Sequence, residues 1–168
     1  VPDSSWFENR IGVRDLSIEE LVRGPATSDG PAGAWTVISG KSQGITPGFT
    51  VRDEEGEVWF VKFDRAAYPV LSTGAEVITT RFFHAMGYHV PETHIAYFRR
   101  EELTIDPRAR VAVKGGPKQK LTPERLDHIL RDVKREADGT LRAVVSRRLS
   151  GEPLGPHKYH GTRTDDAN

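Results

Sequence analysis

The 168 residues contain no cysteine, which excludes disulfides, thiol nucleophiles and thiolate metal sites. No apolar run approaches the roughly 18 residues that a membrane-spanning helix requires, and no signal-peptide pattern is visible. Net charge is absent as well, with 24 Lys and Arg against 24 Asp and Glu, so no global field draws the protein to a polyanion. These absences leave the compartment open. From Arg99 to Arg148 there is no Phe, Tyr or Trp, although 14 basic residues there outnumber 8 acids. A basic stretch without stacking platforms argues against nucleic acid and for a solvated insert. His157 and His160 have no acids at ligand spacing, so no zinc site is read there. No Ser-His-Asp order or paired carboxylates point to a hydrolase.

What is present is globular: 29% charged and 36% apolar residues suit about one domain with its own core. The chain opens at Val1 and closes on the polar Thr164-Asp165-Asp166-Ala167-Asn168. It reads as a piece of something longer, trimmed at both ends. Residues 1–33 read as an attached arm. Ser17 and Glu20 predict a capping box, Leu16 and Leu21 a hydrophobic staple, and Gly24-Pro25 a stop. Trp6, Phe7 and Ile11 are expected to pin this arm to the body.

Beyond the arm, strands are predicted at 34–39, 49–53 and 57–63, with a glycine-rich loop over 40–48 and a turn at Glu54-Glu55-Gly56. A helix follows over 73–86, with Ala75, Ile78, Phe82 and Ala85 expected on its buried face. Gly87 ends it and Pro91 prevents its continuation. Further strands are read at 94–98 and 140–149. Between these two lies the basic excursion, 99–139, with a helix capped by Thr122 and stapled by Leu121 and Leu126. The expected architecture is α+β: a twisted antiparallel sheet of about five strands, one main packed helix and a helical insert.

Three features carry chemistry. Gly40-Lys41-Ser42 has Trp35 where a P-loop needs glycine, and a strand instead of a helix follows, so a P-loop is rejected. What survives is a hairpin flap, Gly40 to Gly48, whose amides together with Lys41, Ser42, Gln43 and Gly44 can approach phosphates. The competing reading is a plain flexible hairpin. Lys62 stands in an apolar strand between Val61 and Phe63, where it either snorkels to solvent or serves as a phosphate-binding cation. Glu76 either pairs with Lys62 or completes a capping box over Thr73-Gly74-Ala75-Glu76. A helix starting near Pro69 frees it for Lys62. The sequence leaves both choices open.

The order strand, glycine loop, strand, lysine strand, glutamate helix, strand, strand resembles the small, N-terminal lobe of kinase-like folds. The resemblance covers about residues 34–150 and is nearest to the HipA-like and phosphoinositide-kinase-like branch. Glu76, then Phe82-Phe83-His84-Ala85-Met86-Gly87-Tyr88-His89-Val90-Pro91 and Ile95, carry it. The whole chain also resembles an uncharacterised bacterial protein group whose members continue well beyond Asn168. The resemblance implies that Gly40 to Gly48 covers nucleotide phosphates, that Lys62 binds them, and that Glu76 holds Lys62. It implies further that Ser146, Arg147, Arg148 and Leu149 line the adenine edge by backbone. Residues 151–168 would then be a hinge or linker toward a missing large lobe. Arg147 and Arg148 make an unusually charged hinge, and the flap lacks Gly-x-Gly-x-x-Gly spacing. No His-Arg-Asp or Asp-Phe-Gly equivalent occurs, so no catalytic residue is assigned in this chain and phosphoryl transfer awaits the missing C-terminal lobe. ATP and magnesium are the cofactors implied for a complete protein. The alternative is a non-catalytic, pseudokinase-like scaffold or partner-binding module.

Overall fold

A computed structural model describes residues 2–41, 46–113 and 116–151. The fold is α+β. One sheet takes seven strands in the order β4-β7-β3-β2-β1-β5-β6. They are β1 (Trp35–Gly40), β2 (Gly48–Arg52), β3 (Val58–Lys62), β4 (Thr93–Phe98), β5 (Leu103–Val111), β6 (Gln119–Lys120) and β7 (Leu141–Arg147). The helices are α1 (Ile18–Arg23), α2 (Leu71–Ala85) and α3 (Pro123–Leu130).

Strand alternation separates the two sides of the sheet. Trp35, Val37, Phe49, Val51, Trp59 and Val61 join Leu141, Ala143 and Val145 in one dry cluster. Leu126 and Leu130 of α3, together with Leu121 and Val133, close that cluster. Phe60 and Lys62 alternate with Trp59 and Val61, so they face the other way, toward α2.

The sheet differs from the expectation in number and in direction. The basic excursion adds β5 and β6, so seven strands replace about five, and β1 with β5 makes a parallel pair. Pro107 hides β5 from a sequence reading, because proline cannot donate to a ladder. The structure places it in an irregular stretch, where the register jumps from Val37↔Ile105 to Ser39↔Arg110. The helix predicted in that excursion is present, with Thr122 accepting from the Arg125 amide and Pro123 in the first turn.

Of the expected buried face of α2 only Ala85 is buried. Ala75, Ile78 and Phe82 are exposed, the last two by 59% and 56%, while Thr73 and Thr80 are buried instead. The sheet beneath this helix presents Lys62, Arg142, Thr93 and Ser146 alongside Phe60, Ile95 and Val144, and α2 turns Thr73, Glu76 and Thr80 toward it, with Glu76 and Thr73 meeting Lys62 and Arg142. Satisfying buried polar groups takes precedence over burying an apolar stripe.

The arm is fastened at the C-terminal end of α2. Phe7 forms an isolated bridge with Tyr88, and the Phe7 and Tyr88 rings meet edge-on at 5.5 Å. Trp6 adds a tilted contact with Tyr88. Ile11, expected to help, is 67% exposed. Instead the buried Arg10 donates to the carbonyls of His84 and Tyr88, adding a side-chain donor to the Gly87 amide that the His84 carbonyl already accepts. Gly87, at φ 112°, permits this close approach, since a Cβ there would lie 2.2 Å from the Glu8 carbonyl oxygen. The capping box at Ser17 and Glu20 forms as expected.

Truncations should separate the two sides of the molecule. Phe63→Ala, in the dry cluster, is expected to cost about 3–5 kcal/mol. Ile78→Ala, on the exposed side of α2, should cost no more than about 0.5 kcal/mol. Urea unfolding midpoints at constant m-value check both.

Candidate functional site

Lys62 ends β3 and lies opposite Gly48 of β2 and Val144 of β7. Its Nζ donates to Glu76 Oε1 at 2.7 Å. The capping-box alternative for Glu76 does not form, because α2 begins at Leu71 and places Thr73 inside the helix. The side chains of Lys62 and Glu76 are 37% and 28% exposed, so the pair is held and yet reachable. An ammonium has three donors. One contact to Glu76 aims Lys62, and among the described residues its other two donors make no hydrogen bond.

Asp64 explains how α2 comes to lie in register with Lys62. The residue preceding α2, Val70, sits at φ 69° and offers no side-chain cap. For a β-branched residue this left-handed conformation is strained. The buried Asp64 carboxylate supplies the missing cap from the end of β3. It accepts from the amides of Val70, Ser72 and Thr73 at 3.0, 2.8 and 2.9 Å, and from Thr73 Oγ1 at 2.6 Å. Arg142 on β7 completes the clamp through an ion pair with Asp64 and a short contact with Thr73 Oγ1. Sequence reasoning missed Asp64 because it stands six residues before Val70, outside the usual capping spacing.

The glycine flap joins the same end of the sheet. The Lys41 amide donates to the Gly48 carbonyl, and Lys41 Nζ donates to the carbonyl and hydroxyl oxygens of Thr46. Burial, then the charge of nearby Lys62, holds the Lys41 ammonium below its ordinary pKa, with Glu76 opposing. Two lysines therefore converge here, and an anion between them would relieve their repulsion. Gly48 has to be glycine, because a Cβ would fall 2.4 Å from the Val61 carbonyl oxygen. Gly40 closes β1 and packs against Val111. Ser42, Gln43 and Gly44 lie outside the described residues.

The candidate base edge sits farther along the sheet. Ser146 pairs with Phe60, two residues along from Lys62, which is about 7 Å. A hollow of about 360 Å³ is bordered there by Phe60, Pro91, Ser146, Arg147, Arg148 and Leu149. Two of the expected backbone donors are already engaged, since the Arg147 and Arg148 amides donate to the Glu92 and Val58 carbonyls. The Arg147 side chain is engaged too, pairing with Glu57 and Glu92 and lying over the Trp59 ring.

Glu92 ties this edge to the arm. It accepts from Thr27 Oγ1, from the Ser28 amide and hydroxyl, and from Arg147, and it lies 2.8 Å from His94 Nε2. Burial pushes this carboxyl up, but the hydrogen bonds from Ser28, His94 and Thr27 outweigh it and bring the pKa to about 2.

Fold and site define an α+β domain carrying a lysine–glutamate pair on the α2 side of its sheet. No family model, curated protein or solved structure matches the chain.

Because the Glu92 pKa is lowered on folding, its stabilisation is present above the unfolded value and is lost as pH falls. Stability should decline as pH drops from near 4.5 to about 2. In Glu92→Gln that portion of the decline should vanish, alongside a lower stability at neutral pH. Urea midpoints measured across this window check it.

Proposed function

We propose that the chain is the ATP-binding lobe of an atypical kinase-like protein. Nucleotide phosphates lie between Lys62 and Lys41 under the glycine flap, and the base lies toward Phe60 and Leu149. The single observation that carries this reading is the 2.7 Å contact between Lys62 Nζ and Glu76 Oε1 on a reachable part of the sheet. A cation fixed by an acid on a neighbouring helix is pre-oriented toward phosphate oxygens. Phosphoryl transfer then depends on a C-terminal lobe of the same protein, which would supply the acids that hold magnesium and orient an acceptor. The described residues hold no cluster of three or more His, Asp or Glu able to do so.

The outward apolar side chains of α2, Leu71, Ile78 and Phe82, favour a second reading. In it the fold is a partner-binding module, and Lys62–Glu76 only fastens helix to sheet.

Differential scanning fluorimetry with ATP and magnesium separates the two. A ligand at 100 times its Kd stabilises by about 2.7 kcal/mol, which shifts the midpoint by roughly 8 °C in a domain of this size. Lys62→Ala should abolish the shift while lowering the ligand-free stability by no more than about 1 kcal/mol, as befits a partly exposed pair. An equal shift in both proteins, or none in the wild type, contradicts the ATP-binding reading.

A further inference from the structure

A second hollow, of about 1340 Å³, opens beside the flap between the β1–β2 hairpin, the loop at 65–68 and α3. Three separate elements bring cations to it: Lys41 from the flap, Arg65 from the loop, and Arg125 and Arg131 from α3 and its end. Among the described residues none of these four makes an ion-pair contact with a carboxylate, although the charge of Glu76 acts on Lys41 from farther off. Lys41 and Arg125 hold only the neutral acceptors Thr46 and Gln119. Glu124 and Asp132 also border the hollow, so four cations against two acids leave a surplus of two positive charges before His128 is counted. Gly48, Ala66 and Ala112 keep its wall low.

Gathering unpaired cations around one concavity is electrostatically unfavourable unless an anion lies between them. Guanidinium groups suit phosphate or carboxylate oxygens through paired N–H donors. We propose that this hollow is a second anion subsite, taking a small molecule that carries phosphate or carboxylate groups. It is separate from the Lys62–Glu76 pair, and Lys41 is the residue that borders both. The subsite does not rest on nucleotide binding; where both hold, the second ligand lies next to the nucleotide's phosphate end.

The test is calorimetric titration of inorganic tripolyphosphate into the 168-residue chain, at low ionic strength in metal-free buffer. Arg65→Ser/Arg131→Ser, both exposed positions, should weaken binding about tenfold, the scale of losing charge-assisted contacts. Lys118→Ser/Lys134→Ser removes the same charge from exposed positions outside the hollow. That control should stay within about twofold of wild type, because neither side chain lines the hollow. An equal loss in the control would reduce the effect to diffuse attraction. A loss confined to Lys62→Ala would place the probe at the nucleotide site. Either result, or no binding to the wild type, overturns the proposal. If tripolyphosphate follows the expected pattern while ATP gives no thermal shift, the subsite stands and the nucleotide reading falls.

Discussion

A lysine on an inner strand of a sheet has to be answered by an acid, and one side of this molecule is arranged to answer it. Lys62 meets Glu76 only because α2 starts where it does. That start is fixed by Asp64, two residues after Lys62, accepting from the first turn of α2 and from Arg142 of β7. The strained backbone at Val70 is the local cost of this geometry. Strand, cap, helix and neighbouring strand thus form one connected set of charges. The arm reinforces the set from outside through Arg10 at the far end of α2 and through Glu92 at the far end of β7.

The two sides of the sheet divide the labour. The α3 side is dry and supplies most of the apolar burial, from Trp35 and Phe49 through Leu126 and Val145. The α2 side sets Lys62, Arg142 and Ser146 among Phe60 and Val144 and is partly open. This division explains why α2 shows Ile78 and Phe82 to the outside. Lys62 and Arg142 instead take polar partners from α2, Glu76 and Thr73. A scaffold with one rigid side and one polar, accessible side is well suited to holding a charged ligand.

Much of this was legible in the sequence, for reasons that differ by element. The strand around Val51 alternates, those around Val37, Val61 and Val145 are short apolar runs, and the caps at Ser17 and Thr122 follow short local rules. Lys62 and Glu76 could be singled out because each is conspicuous in an otherwise apolar or uncharged neighbourhood, but whether they pair was left open until α2 was seen to begin at Leu71. β5 was hidden by Pro107, whose cost disappears in an irregular register that no local pattern foretells. The orientation of α2 was hidden because its apolar stripe is real, and only the charges on the sheet beneath decide which side turns inward. Asp64 was hidden by distance, since it caps a helix across a loop. Each of these readings failed where a contact distant in sequence outweighed a local preference.

The central claim is that the Lys62 ammonium, aimed by Glu76, is a phosphate-binding group. A crystal structure of the chain with magnesium and a non-hydrolysable ATP analogue addresses it most directly. The account predicts phosphate oxygens within about 3 Å of Lys62 Nζ, the distance of a charge-assisted hydrogen bond, while Glu76 keeps its hold on Lys62. An analogue bound elsewhere, with Lys62 contacting Glu76 alone, would contradict it.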